Sequence, residues 1–545
     1  MRIEPKAHSQ TRTPGLKADL VRQSATADVV QHPSQGSTTA PAIVENASEA
    51  RFLLRFVVPA REVDALTVAL RSEQAHAQRC QSTYFDTADG RLAARGVFLS
   101  LCKRGRGWVQ LAVATTPDCT RLLVHEVDLG VRRHGAAPGL LVQLHDGTQA
   151  GAALRAAIGN AVPDEDDDST LLASFAIDAT RLTRDMALNG CVVELAQVTG
   201  MITTDDASAP FQAFEVRLVS GPLAPLFALA RDWSIRHGLR LSTVSDGERG
   251  ARLAAGHPDG FPTLASTPDA PLPDGPAFLQ AMLDSCLAQI LANASVIGDG
   301  TQDRHVIDQL RHGLERLRTT LAELAPMAPG IDAAWEPVFK RTFHELAAHR
   351  GAAAIRAPLI QEMRAAGLGY ALDCSHPREI RLPSAIVQDT EFQLTLMAIL
   401  AYRHALSPPF KPGHGSLRQM RKRFAGKLAE RHAQVGHDAG HLRSTSKRGR
   451  ASRHLNQLVR LALFAGPLYD AREVDRFLLR CRVAQDAFTT DSEHRSGLDA
   501  LADDGESGMD VKLARRWLAA RLEDDRTQCE ALLRRAGKAA AFWAA

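Results

Sequence analysis

Apolar and polar residues alternate along the first half of the chain and recur at every third or fourth position along the second, so two kinds of structure are predicted. From Phe52, FLLRFVVPA reads as a strand, and REVDALTVALRSEQ, opened by Pro59 and Ala60, as a helix. STYFDT, VFLSLCKRG, WVQLAVAT, RLLVHEVDLG, LLASFAIDATRLTRDM, CVVELAQVTGMITT and FQAFEVRLVSG then follow with strand character. Turn residues separate them, among them Ala88-Asp89-Gly90, Arg104-Gly105-Arg106-Gly107 and Asp205-Asp206. With a further helix after Pro222, this run predicts an α+β domain on a large antiparallel sheet or barrel.

The segment HPDGFPTLASTPDAPLPDGP, 257–276, carries too many prolines for a helix or a central strand and is predicted to be a linker. Beyond it the helical period holds in FLQAMLDSCLAQILANA, VIDQLRHGLERLRTTLAEL, TEFQLTLMAILAYRHAL, HLNQLVRLALFAGPL, EVDRFLLRCRVAQDAF and DVKLARRWLAARLEDDRTQCEALLRRA. Residues 277–545 therefore form an all-α domain, divided by a break near 407–416 in SPPFKPGHG. A weak internal repeat, Asp308 to Arg318 against Arg450 to Arg460, agrees with that division. Residues 1–47 show no apolar period and are predicted to be a disordered arm, leaving 48–256 for the strand-rich domain.

Composition adds exclusions. The balance of 65 Lys and Arg against 62 Asp and Glu argues against a uniformly basic nucleic-acid coat protein while leaving room for a local basic surface. The longest apolar run, around Leu394 to Ala401, is a core-helix length, so no membrane span is predicted. The start lacks the apolar region of a signal peptide. Eight scattered cysteines form no metal-binding spacing and read as reduced thiols of a cytoplasmic protein.

Arg311 and Arg318 are seven residues apart, as are Arg453 and Arg460, so each pair shares a helix face at a spacing of ~10 Å, which suits an extended polyanion. From Arg403 to Arg460 there are 14 Lys and Arg against two acids, Glu430 and Asp438. The competing reading is a solvated face with ordinary local partners, and Glu315 does lie four residues from Arg311. Only Phe424 interleaves with the basic run, so phosphate contacts without base contacts are expected, and no sequence-specific nucleic acid.

Charges also alternate along the strands: Arg51 and Arg55; Lys103; His125, Glu126 and Asp128; Arg181 and Arg184; Glu194; Glu215 and Arg217. In a barrel such residues line a polar lumen; on an open sheet they face water.

Together these strings resemble a CYTH domain, the triphosphate tunnel metalloenzyme fold, followed by a CHAD domain. The resemblance spans about 48–545. It is carried by Ser82-Thr83-Tyr84-Phe85-Asp86-Thr87 with Trp108-Val109-Gln110, by Phe214 to Gly221 with Leu226 to Ala230, and by Ser245-Asp246-Gly247-Glu248-Arg249-Gly250. It implies an antiparallel β tunnel followed by two four-helix bundles, glutamates holding Mg²⁺ or Mn²⁺, and Lys and Arg holding a triphosphate. The retained tunnel positions are Arg55, Lys103, Glu126, Asp128, Arg181, Arg184, Glu194 and Glu215. Glutamates of the family pattern fall on Arg51, Leu53, Ala213 and Arg217, its tunnel arginines on Ser100 and Cys102, one lysine on Val113 and another on Asp246. Losing oxygen ligands and gaining positive charge disfavours a hard divalent ion, so no metal, no cofactor and no catalytic residue is expected.

The helical half resembles the CHAD family, which binds inorganic polyphosphate. The implied polyphosphate-binding residues are Arg311, Arg316, Arg318, Arg350, Lys447, Arg448, Arg450, Arg453 and Arg460, with Asp308 and Arg450 at the positions of the family's histidines. The resulting expectation is a non-catalytic cytoplasmic polyphosphate-binding protein at polyphosphate granules, behind a degenerate tunnel. The rival readings are a metal-dependent inorganic triphosphatase with an unconventional ligand set, using Mg²⁺ or Mn²⁺, and an interaction module without a phosphate ligand. The sequence assigns no oligomeric state.

Overall fold

The computed structural model describes residues 50–116, 120–132, 137–159, 171–257, 263, 272–349, 352–368, 381–405, 415–503 and 509–544. The predicted arm, most of the linker, Arg350 and most of the break near 407–416 lie outside them.

Strand β1 (Ala50–Val57) leads through a single turn, Ala60–Glu62, into helix α1 (Val63–Leu70). Strand β2 (His76–Asp86) and the short helix α2 (Arg91–Ala94) precede β3 (Val97–Arg104), β4 (Gly107–Thr115) and β5 (Arg121–Val131). Helix α3 (Gln149–Ile158) separates these from β6 (Leu172–Leu188), β7 (Cys191–Thr203) and β8 (Ser208–Ser220). Helix α4 (Leu223–His237), the two-residue strand β9 (Arg240–Leu241) and helix α5 (Asp246–Ala254) complete the strand-rich half.

All these strands pair antiparallel, in the order β5-β4-β3-β2-β6-β7-β8-β1-β9. β1 closes the sheet by splitting its edges: Leu53–Val57 pair with β8, and Ala50–Phe52 pair with β5. The result is a closed eight-stranded barrel, with β9 added outside on β1. Alternation then sorts each strand into a lumen face and an outer face. On β1, Phe52, Leu54 and Phe56 are buried outward, which turns Arg51, Leu53 and Arg55 into the lumen.

Ten helices follow among the described residues: α6 (Gly275–Gly298), α7 (Arg304–Leu324), α8 (Trp335–Ala348), α9 (Ala352–Ala365), α10 (Pro383–Val387), α11 (Thr390–His404), α12 (Leu417–Asp438), α13 (Thr445–Ala465), α14 (Ala471–Asp503) and α15 (Met509–Ala536). Their starts are set by side-chain caps, including Asp274 on the Ala277 N–H, Asp389 on the Glu391 and Phe392 N–H groups, and Ser444 on the Lys447 N–H. α6, α7, α8 and α11 pack as one four-helix group, α12 to α15 as a second, and α7 touches α13 between them.

α6 is apolar over a longer stretch than the sequence reading allowed, and by length and composition it could cross a membrane. Its most apolar window is 72% buried inside the protein, as befits the central helix of a core. That core runs without a break from the outer face of the barrel (Phe52, Leu54, Phe56, Phe214, Trp233) to the far end of the helices (Phe477, Trp543).

Candidate functional site: a charged lumen and a basic hairpin

The lumen is built by strand parity. Arg51 and Arg55 on β1, Arg181 on β6, Glu194 on β7, Glu215 and Arg217 on β8, Arg104 on β3 and Glu126 on β5 share the inner face. Toward one end the lumen is apolar, with Phe175, Ile177, Ala179, Val198 and Ala213 packed beside Tyr84, which stacks on Phe175 at 4.6 Å. Helix α5 caps that end. Its glycines lie flat against aromatic rings: a Cβ on Gly247 would stand 2.8 Å from the Phe98 ring, and one on Gly250 2.1 Å from Phe175. Ser245 caps the helix by accepting from the Glu248 N–H, which brings Asp246 to Arg55.

The charges form a chain. Asp246 pairs with Arg55, and Arg55 donates to Glu215 Oε1 at 2.5 Å. Arg181 donates to Glu215 Oε2 at 2.5 Å and to Glu194 Oε1 at 2.9 Å. Arg217 donates to Glu194 Oε1 at 3.2 Å and Oε2 at 2.8 Å. Across the lumen Arg104 holds both oxygens of Glu126, at 2.5 and 3.3 Å. Every carboxylate oxygen of the three lumen glutamates therefore accepts from a guanidinium.

Burial alone would raise the Glu194 carboxyl, but the Arg217 hydrogen bond and the Arg181 charge outweigh it and bring it down to about 2. Glu215 is likewise held low against burial by Arg181 and Arg55. Asp246 goes the other way: burial raises it, with Arg55 opposing and Glu215 adding to the rise. Arg51 has no ion-pair partner among the described residues; burial and the neighbouring Arg217 lower its pKa.

The sequence reading is corrected at two tunnel positions. Lys103 pairs across the sheet with Trp108 on the outer face, its Nζ 5.9 Å from that ring, and the lumen cation is its neighbour Arg104. Arg184 stands three residues from Arg181, an odd step along a strand, so it points outward and donates to the Ala69 carbonyl of α1. Asp128 keeps the parity of Glu126 but lies exposed at the rim, accepting from the Gly130 N–H. His125 faces outward to His145 at 2.9 Å.

These residues do not fit a divalent metal. Among the described residues no group of three His, Cys, Asp or Glu converges on one point, and the glutamates that remain have no free oxygen to offer.

In the helical half, most of the expected arginines turn inward. Arg311 is buried, paired with Asp308 at 3.1 Å and lying 4.7 Å over the Phe343 ring. Arg316 donates to Gln289 and Ser285 of α6. Arg318 pairs with Glu336 at 2.6 Å, Arg448 is buried against Asp491, Arg450 approaches Asp438 at 3.8 Å, and Arg460 reaches across to Glu315 of α7. Lys447 and Arg453 are exposed, with no acidic partner among the described residues. The sequence reading passed over four others in the same condition on the α12–α13 hairpin: Arg418, Arg421, Lys422 and Arg443. The density of basic residues marked this hairpin; which of them stay free could be read only from the packing.

No family model matches the chain, and neither does any curated protein. Solved structures with similar folds do exist. The CHAD domain from the plant Ricinus communis is 18% identical, over 50% of this chain and 96% of that one, at a TM-score of 0.37. An adenylyl cyclase-named protein from Hippeastrum with a dominant triphosphatase activity is 14% identical, over 38% and 96%, at 0.27. A protein named as an adenylate cyclase from Bacillus halodurans is 12% identical, over 34% and 92%, at 0.23. At these scores the likenesses carry no weight for activity or ligand.

Proposed function

We propose that this chain is a non-catalytic binder of inorganic polyphosphate that uses the free cations of its helical half, in the cytoplasm at polyphosphate granules. The observation that carries the non-catalytic part is the saturation of Glu126, Glu194 and Glu215 by arginines. A carboxylate whose two oxygens already accept from guanidinium groups is a poor ligand for a hard cation and a poor base.

The polyanion part rests on the hairpin. α12 and α13 are joined by six residues and pack together, hence run antiparallel. Arg418, Arg421 and Lys422 lie at the start of α12, while Arg443, Lys447 and Arg453 lie at its far end and along the start of α13. Twenty-two helical residues put the two clusters roughly 30 Å apart. A polymer reaches both, whereas a triphosphate engages one at a time, so long-chain polyphosphate should bind at least about tenfold more tightly than tripolyphosphate at equal phosphate concentration. The affinity should fall steeply with salt as counterions are released. Joint substitution of Arg421, Lys422, Lys447 and Arg453 by glutamine is expected to remove retention on polyphosphate with the fold intact by circular dichroism; unchanged retention would overturn the assignment. Phosphate release from tripolyphosphate with Mg²⁺ or Mn²⁺, abolished by Glu215→Gln, would overturn the non-catalytic part.

A further inference from the structure

On the outer wall of the barrel, away from the lumen, one amide and two imidazoles form a hydrogen-bonded chain that the polyphosphate reading does not use. The segment joining β5 to α3 folds back over β3, β4 and β5 and ends in a short helical turn, Val142–His145. Leu140 and Val142 of this segment and Leu154 of α3 cover Leu99, Ala112 and Ala114 of the wall. Gln110 of β4 pins the segment: its Oε1 accepts from the Leu141 N–H at 3.0 Å, and its Nε2 donates to the Leu141 carbonyl at 2.7 Å. Those two bonds fix which end of the amide is nitrogen. The second amide N–H is left for His145 Nε2 at 3.0 Å, so that nitrogen must accept and His145 carries its proton on Nδ1. Nδ1 in turn donates to His125 Nδ1 at 2.9 Å, which makes His125 an acceptor there. Donation therefore runs one way, from Gln110 through His145 to His125, with both rings neutral. A proton added to His145 Nε2 or His125 Nδ1 sets two donors face to face, and His145, 0% exposed, has no water to turn to.

We propose that Gln110, His125 and His145 form an acid-sensitive latch, which holds residues 140–158 on the barrel wall at neutral pH and releases them in acid. The charged groups around the two rings act weakly on it. Asp146, beside His145, is exposed and held by Arg155 of α3 at 2.8 Å; Arg121, on the outer face of β5, is exposed four residues from His125; β4 carries no titratable side chain. Burial, and next the neighbouring His125, bring the His145 ring down to about 4, with Asp146 opposing. The folded value lies below the ordinary 6.5, so closure favours the neutral ring: the latch is fully present above 6.5 and weakens as pH falls toward 4. Release uncovers Leu99, Ala112 and Ala114, an apolar patch on the side of β3 and β4 that faces away from the charged lumen.

The test is amide hydrogen exchange of the full chain at pH 7.5 and pH 5.0, read by mass spectrometry and corrected for the intrinsic pH dependence of exchange. Both conditions lie above the range in which Glu194 takes up its proton, so the lumen charges stay paired. Protection of peptides within 140–158 is expected to fall by roughly 30-fold between the two, as one ring passing from about 4 to the ordinary 6.5 on release requires, while β6, β7 and β8 keep theirs. Joint substitution of His125→Gln and His145→Gln removes both titrating rings and should leave the corrected protection of the segment the same at the two pH values. The wild-type comparison decides by itself if that variant fails to fold. Unchanged protection of 140–158 in the wild type would overturn the latch, as would an equal loss across β6 to β8, or a double variant that keeps the wild-type response.

Discussion

Glu215 sits at the centre of the lumen's chain of charges. It is 6% exposed and accepts from Arg55 and Arg181 on its two oxygens. Removing its charge leaves two largely buried guanidiniums facing each other, a change that typically costs 3–5 kcal/mol, so Glu215→Gln is expected to lose about 3 kcal/mol in urea unfolding. An unchanged midpoint would mean that the pairing does not persist in solution. Glu194 sets an acid limit on the same chain of charges. Its folded pKa of about 2 lies below the ordinary 4.5, so folding favours the ionised form: the stabilisation is complete above 4.5 and drains away as pH falls toward 2. Its size at neutral pH is on the order of 3 kcal/mol. Unfolding midpoints followed from pH 6 to pH 2.5 should fall across that window, and Glu194→Gln should flatten the fall.

Helix α5 is an element whose sequence shows its kind but not its task. Ser245-Asp246-Gly247-Glu248-Arg249-Gly250 can be recognised as a motif, yet only the packing shows that its glycines are spaces for Phe98 and Phe175. Gly250→Ala forces a Cβ into the Phe175 ring and is expected to cost about 1–3 kcal/mol, read as a lowered melting temperature. Gly426→Ala, at an exposed helical glycine with no atom within 4 Å of the added methyl, should instead stabilise by about 0.5–1 kcal/mol. Two similar melting temperatures would refute the seating of α5. The same gap separates what was legible from what was not. The barrel strands were readable because apolar alternation and turn residues act locally, and β1 and β3 to β8 fall on the predicted segments, whereas β2 begins six residues before the predicted STYFDT. The facing of Lys103 and Arg184 depended on strand parity, and the sequence reading grouped Arg181 with Arg184 across an odd step. The arginine rows of α7 and α13 were legible as rows, but their partners Glu336, Gln289, Ser285 and Glu315 come from neighbouring helices that no local pattern identifies.

At the scale of the whole molecule, the Pro-rich segment suggests two domains on a tether, and the core contradicts the independence that a tether implies. Phe52 of the barrel packs edge-on against His404 of α11 at 5.1 Å, and the His404 ring hydrogen-bonds Thr120 at 2.9 Å. Gln393 of α11 is buried and bridges both halves, accepting from the Leu241 N–H at 2.8 Å and donating to the Val387 carbonyl at 2.7 Å. Ser295 of α6 accepts from the Thr243 N–H in the same seam. Separating the halves would expose the buried outer face of β1 and leave these backbone groups without partners, each at about 1–3 kcal/mol. Barrel and helices should therefore unfold together. Far-ultraviolet dichroism, dominated by the helices, and the fluorescence of Trp108 and Trp233 in the barrel half are expected to give coincident denaturation curves when the two barrel tryptophans are the only ones retained. Gln393→Leu should shift both curves by the same amount, because one of the two bonds it removes, from the Leu241 N–H, joins the halves. Separated midpoints, or a shift confined to one probe, would show instead that the seam is a docking contact between domains that are stable by themselves.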